Sequence, residues 1–290
     1  YYLLSYSSVK IIINILILAA FALSIYLALV AGLYIFQRQL IYNPSKFMPS
    51  PKEAGVPEME EVQVTSLDGI LLNFWYRPAK TNQPTIVFFH GNTGNLSGRS
   101  HKAKPYLDAG FGVLLAAYRG YGSNSGKPSE IGLYNDARAQ LNYLKGLGIH
   151  HKDWILYGES LGTGVAVNMA YELDKDIKLN TLNVSIGGLI LEAPFSSMPE
   201  IAQEHYPYVP ARLMVKDHFD SISKINKIDT PLFIVHGQED KVISVKHGVK
   251  LFLAAIYPKE SKWIPLAGHN NLYEFGMAEL VIDFIKKYKP

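Results

Sequence analysis

Apolar residues fall along this chain in two regimes. From Ile11 to Phe36 there is no charged residue, and Lys10 and Arg38 bracket the run. As a helix it is roughly 39 Å long, enough to cross a ~30 Å hydrocarbon layer with some tilt. Tyr26, Tyr34 and Tyr42 lie towards its C-terminal end, where amphipathic rings favour a membrane interface. A buried core helix is rarely apolar on every face for so long. Signal-peptide cleavage near Ala20-Phe21-Ala22 would leave a second apolar stretch, up to Phe36, with nowhere to go. The expectation is an uncut single-pass anchor over residues 1–42, with its helix at about 11–36. Arg38, Lys46 and Lys52 on the C-terminal flank outnumber Lys10, which leans towards a cytoplasmic domain. The chain starts at Tyr1 and not at Met, as a fragment or a processed form would.

Beyond the anchor the pattern changes. Residues 43–60 carry Pro44, Pro49, Pro51 and Pro57 with little apolar periodicity and read as a linker. From residue 61 to 290 short apolar runs alternate with helical patterns. Glu61–Ser66 and Ile70–Tyr76 flank Leu67-Asp68-Gly69, an Asp-Gly hairpin signal. Thr85–Phe89, Gly112–Ala117, Trp154–Tyr157, Leu189–Leu191 and Leu232–Val235 are apolar throughout, as strands buried on both faces should be. Ile131, Tyr134, Leu141 and Leu144 recur at helical spacing, as do Leu161, Val165 and Met169, and Val281, Phe284, Ile285 and Tyr288. This alternation predicts an α/β domain with a mostly parallel sheet, helices on both sides and an antiparallel hairpin at its entry.

Composition narrows the chemistry. Hydrophobic residues make up 48% of the 290 and charged residues 18%, so a sizeable core is available. The net charge of +3 is scattered, which gives no phosphate-tracking patch and no case for nucleic acid. With no cysteine there is no disulfide framework, thiolate zinc site or cysteine nucleophile.

The strongest chemical signal is Gly158-Glu159-Ser160-Leu161-Gly162, which follows an apolar strand and opens a helix. That is the setting of a nucleophile elbow: a sharp turn lifts the serine hydroxyl above the sheet, and glycine is needed on both sides. The helix N-terminus there favours a developing anion. His90-Gly91-Asn92-Thr93-Gly94-Asn95 follows another strand end, and its small-residue loop suits an oxyanion donor. The backbone N–H groups of Asn92 and Leu161 are therefore the expected oxyanion hole. His90 precedes the nucleophile and reads as a structural histidine.

The orienting acid and the base should follow the serine in that order. Asp240, just past the strand Leu232–Val235 in His236-Gly237-Gln238-Glu239-Asp240, is the expected acid, ahead of its neighbour Glu239. His269, in Leu266-Ala267-Gly268-His269-Asn270-Asn271, lies between the last strand and the last helix and is the expected base. His150 and His151 precede the serine, while His205, His218 and His247 lie in helical or cap-like stretches. Asp217, His218 and Asp220 lack a matching cluster for a metal and read as solvated charges on a cap. Every one of these candidates lies at or beyond His90, so the anchor is expected to take no part in the chemistry.

Taken together and in order, these motifs resemble the α/β-hydrolase superfamily. More narrowly, the chain resembles the single-pass, membrane-anchored α/β-hydrolase-domain proteins of the bud-emergence suppressor type, from about Gln37 to Pro290. The resemblance rests on the anchor, the His90–Asn95 loop, Tyr118-Arg119-Gly120-Tyr121-Gly122, the Gly158–Gly162 elbow, Glu192-Ala193-Pro194-Phe195, and the Gly237–Asp240 and Gly268–Asn271 loops. It implies an α/β-hydrolase fold, a triad of Ser160, Asp240 and His269, no cofactor, and esterase, lipase or thioesterase activity. It assigns Arg119 and Tyr121 no chemistry. The usual position of a cap, about 196–228, holds a short segment with Tyr206, Pro207, Tyr208 and Pro210 at its centre. These aromatics suit an acyl chain or amphiphile, and equally suit packing of the cap onto the sheet. The expected partners are a small, lipid-like acyl ester or thioester, and membrane lipid through the helix. An amidase or peptidase of the same fold, and a non-catalytic membrane scaffold, are the alternatives.

Overall fold

The computed structural model describes residues 6–179 and 185–288. The first helix, α1 (Tyr6–Ile41), exceeds the expected span at both ends and has no buried residue. Among the described residues it is the one helix long and apolar enough to cross a membrane. Its last turn closes with the Tyr42 amide donating to Arg38 O at 2.9 Å. Pro44 then prevents continuation, because proline supplies no amide donor and pushes the residue before it out of helical geometry.

Residues 43–60, expected to be a linker, are packed against the domain. Asn43 and Pro44 form a short parallel ladder with Thr93 and Gly94. The Gly122 amide donates to Ser45 O at 2.8 Å, and Asn95 Nδ2 donates to Phe47 O at 2.6 Å. Val56 and Met59 are buried. The prolines remove helical and strand periodicity without removing the hydrogen bonds that this segment makes with neighbouring loops.

The domain is an eight-stranded sheet. In chain order the strands are β1 (Glu60–Thr65), β2 (Leu71–Arg77), β3 (Thr85–Phe89), β4 (Gly112–Leu115), β5 (Trp154–Glu159), β6 (Gly188–Glu192), β7 (Leu232–Gly237) and β8 (Lys259–Ile264). Their spatial order is β8-β7-β6-β5-β3-β4-β2-β1. Only β2 runs against the others, antiparallel to both β1 and β4. The hairpin between β1 and β2 turns at Gly69, whose φ of 81° suits glycine. Residues of β3, β5, β6 and β7 are buried throughout, which explains their unbroken apolar character.

Helices α2 (Ser100–Asp108), α3 (Glu130–Gly146), α4 (Leu161–Leu179), α8 (Val245–Ala254) and α9 (Met277–Tyr288) connect and cover the strands. Strand order reverses at β3, which lies between β4 and β5. Crevices at the carboxyl ends of strands around such a reversal are where ligands bind in α/β sheets. Three short helices, α5 (Met198–His205), α6 (Ala211–Met214) and α7 (Ile222–Ile225), fall in the expected cap interval between β6 and β7.

The C-terminal part of α1 is fastened to this cap. Arg38 Nε and Nη2 donate to the two Asp217 carboxylate oxygens at 2.8 and 3.0 Å. Gln37 accepts from the Lys216 amide at 2.7 Å and donates to Met214 O at 3.2 Å. The Tyr26 hydroxyl donates to Tyr208 O at 3.0 Å. Asp217, read from sequence as a solvated cap charge, is instead buried and engaged by Arg38 and the Glu130 amide.

Candidate active site

β5 ends at Glu159 and α4 begins at Leu161, so a single residue makes the turn. Ser160 adopts φ 51°, in the left-handed region that a non-glycine residue occupies only under constraint. The flanking glycines are required sterically. A Cβ on Gly158 would meet Thr163 Cα at 2.5 Å, and one on Gly162 would meet Phe89 O at 2.0 Å. The Ser160 amide is held by Glu192 O at 2.9 Å, tying the turn to β6.

The structure brings the three residues singled out from sequence together. Ser160 Oγ lies 3.0 Å from His269 Nε2, and His269 Nδ1 lies 2.7 Å from Asp240 Oδ2. Asp240 can only accept when ionised, so Nδ1–H donates and the Nε2 lone pair faces the serine hydroxyl. The other oxygen, Asp240 Oδ1, accepts from the Val242 and Ile243 amides, both at 2.8 Å. Burial alone would raise the Asp240 carboxyl, but hydrogen bonds from His236 and His269, with the Ile243 amide, hold it well below the usual carboxylate range. Glu239, the neighbouring alternative, is exposed.

Asn92 and Leu161 both line the cavity that contains Ser160. Leu161 is the first residue of α4, so its N–H is among those a helix leaves without an internal acceptor. The peptide before Asn92 is fixed from its other end, because His90 Nδ1–H donates to Gly91 O at 2.7 Å. His90 is buried between Tyr118 and Tyr121, at 4.4 and 5.1 Å between ring centroids. Burial, and secondarily the Arg99 charge, pull its imidazole down to about 3, which keeps it neutral. Tyr121 donates to Asn92 O at 2.8 Å, so this turn residue steadies the loop. Arg119 instead forms a structural ion pair with Asp136 at 2.7 Å and a second with Asp68 at 2.6 Å.

Two features escaped the sequence reading. His236, at the end of β7, places Nε2 3.1 Å from Asp240 Oδ2 and 2.9 Å from Ile243 O. Both partners accept, so Nε2 carries the proton and His236 is a second donor to the acid's carboxylate. Its position directly before the acid's loop was the available signal. The other is a charged layer beneath the elbow. Arg99 holds Glu159 through two bonds of 2.8 and 3.0 Å and donates to Thr93 O at 2.7 Å, linking the elbow to the Asn92 loop. Lys102 bridges Glu192 at 2.7 Å and Glu159 at 3.4 Å. Burial would raise the Glu159 carboxyl, but Lys102 and Arg99 bring it down to about 2. A glutamate inside an elbow at a buried strand end was the clue that a cation must lie beside it.

Above Ser160 is a cavity of about 310 Å³, lined by the cap and, against expectation, by Leu33, Tyr34, Gln37, Leu40 and Ile41 of α1. Asn92 Nδ2 donates to Ile41 O at 2.9 Å, so the end of α1 also touches the loop expected to supply an oxyanion donor.

A serine, histidine and aspartate joined in this way at the carboxyl ends of a mostly parallel sheet define an α/β-hydrolase. Residues 84–214 match the α/β-hydrolase fold family. The chain is 35% identical to an uncharacterized protein of Mycobacterium tuberculosis, over 87% of this chain and 86% of that one. It is 30% identical to protein bem46 of Schizosaccharomyces pombe, over 91% and 90%. An esterase of Pyrococcus furiosus superposes with a TM-score of 0.67 at 21% identity, covering 86% of this chain and 100% of the esterase. The chain belongs to the α/β-hydrolase family, and bem46 is among its relatives.

Proposed function

We propose that the protein is a membrane-anchored serine hydrolase that cleaves a carboxylic ester or acyl thioester through an acyl-enzyme. The observation that carries this reading is the unbroken contact from Ser160 Oγ through His269 to Asp240 beneath an apolar cavity. His269 Nε2 takes the hydroxyl proton as Ser160 Oγ bonds to the acyl carbon. The carbonyl electron pair moves onto its oxygen, which the Asn92 and Leu161 N–H groups stabilise. Collapse of this intermediate expels the alcohol or thiol, which leaves with the proton from His269. Water then attacks the acyl-serine by the same steps, giving the carboxylic acid and restoring Ser160. Asp240 holds the imidazole in the required tautomer throughout. The cycle uses only water as co-reactant.

The apolar lining supports an acyl group over a large polar substrate, and the apolar α1 supports a single membrane span. A fluorophosphonate probe tests the chemistry. It should label Ser160 and no other residue, and acyl esters should compete with the labelling. An unlabelled Ser160 in the folded full-length protein overturns the proposal.

A further inference from the structure

The cavity above Ser160 has two sides of different origin. Ile201, Val209 and Met214 belong to the cap, whereas Leu33, Leu40 and Ile41 belong to the last turns of α1. The helix is held there by contacts that its apolar run does not require. Arg38 spans to the buried Asp217, and Gln37 both donates to and accepts from the cap backbone. A helix that only tethered the domain would need no such register. The cavity would be open along one side without it.

The position of the membrane says what enters. Counting from Ile11, about 20 helical residues cover a ~30 Å hydrocarbon layer and end near Val30. Leu33 then lies about 4–5 Å beyond that level, in the headgroup layer, and Ile41 further out. The cap follows the helix downwards, since Tyr208 contacts Tyr26, about 6 Å below Val30 along the axis. Tyr208 and Leu213 are 71% and 87% exposed, as suits a cap tip seated ~5–10 Å into the headgroup and acyl boundary. An apolar cavity walled by this helix and the cap, with Ser160 in its lining, fits the acyl chain of a lipid-borne ester or thioester.

We propose that the final turns of α1 are one wall of the acyl-chain site, so that the membrane anchor sets which chain lengths the enzyme accepts. This rests on the serine-hydrolase reading above. The wall residues are positioning elements for the substrate's tail and touch none of the reacting groups.

The test uses the full-length protein in lipid nanodiscs with 4-nitrophenyl acetate, octanoate and hexadecanoate. The readout is the ratio of kcat/KM for hexadecanoate to that for acetate, which does not depend on the fraction of active protein. Leu33→Trp and Leu40→Trp should lower this ratio about tenfold or more, because each inserted ring displaces two or more buried methylenes. Leu33→Ala and Leu40→Ala should instead move the preferred chain towards greater length, which keeps the test decisive if the larger side chains prevent folding. Ile35→Trp, on an exposed position outside the cavity lining, should leave the ratio unchanged. If the ratio is unaltered in every wall variant, or moves equally in Ile35→Trp, the inference is overturned. If the unmodified protein neither labels at Ser160 nor hydrolyses any of the three esters, it is the serine-hydrolase reading that fails.

Discussion

His236 and Asp240 are joined by a hydrogen bond of 3.1 Å to the same carboxylate oxygen that His269 contacts at 2.7 Å. Asp240 Oδ2 is thus held from two sides, the second of them by a histidine wholly buried on β7. In the proposed mechanism His236→Ala should lower kcat by ten- to a hundredfold with little change in KM, since a hydrogen bond to a charged group is worth about 1.5–3 kcal/mol. His236→Gln, which can return an N–H to the carboxylate, should recover part of the loss. Steady-state kinetics on a short ester would check both.

Ser160→Ala should remove probe labelling and lower kcat by on the order of 10⁴–10⁶, because nucleophile and base act as a unit. Intact-protein mass spectrometry after labelling reads the first effect, and turnover of a short ester the second. Unchanged turnover in this variant would refute the assigned nucleophile.

Asp240→Asn should fold and bind but lose roughly 10³–10⁴ in rate, since an amide favours the wrong imidazole tautomer. The carboxyl of Asp240 is held well below the usual carboxylate range. A lowered folded-state value means its stabilisation is fully present above the ordinary carboxylate range and is lost only as pH falls towards the lowered value. Acid-unfolding curves should therefore separate the wild type from Asp240→Asn at neutral and mildly acidic pH and converge at strongly acidic pH.

His90 acts in the same sense over a higher pH window. Its folded-state value lies near 3, against 6.5 when unperturbed, so below about 6.5 the unfolded chain binds the additional proton. Stability then falls as pH drops from about 6.5 towards 3, by up to about 1.4 kcal/mol per pH unit from this residue. In His90→Asn thermal melts should show a shallower decline over that window. A decline as steep as in the wild type would mean that other groups carry it.

Arg38→Ala leaves the buried Asp217 without its guanidinium partner, beside the Glu130 amide at 3.2 Å. The cost should be about 1–3 kcal/mol, towards the lower end because half of the arginine side chain is exposed. The expected loss in melting temperature is about 2–8 °C for a domain of this size. Hydrolysis of long-chain esters should fall more than that of acetate as α1 loosens from the cap. Differential scanning fluorimetry and chain-length profiles measure the two effects.

The sheet was legible because its central strands are buried on both faces, which forces unbroken apolar runs such as Thr85–Phe89. Ser160, Asp240 and His269 were legible because each follows a strand end in a loop whose glycines and order along the chain have few other uses. The packed state of residues 43–60 was not legible, since a proline-rich segment shows the same lack of periodicity whether solvated or hydrogen-bonded to neighbouring loops. The packing of α1 against the cap and the cavity was not legible either, for a related reason.

By itself, then, the sequence determined the local features: a span-length apolar helix, an alternating sheet, an elbow and the two loops that follow it. Only the tertiary structure decided which distant segments share the site. Arg38 meets Asp217 across 179 positions, Arg99 meets Glu159 across 60, and Leu33 and Leu40 face Ile201 and Val209 over Ser160. Periodicity reports which face of an element is apolar, and it does not report which partner covers that face. For a helix apolar on every side, no position along its surface is distinguished until the cap is seated against it.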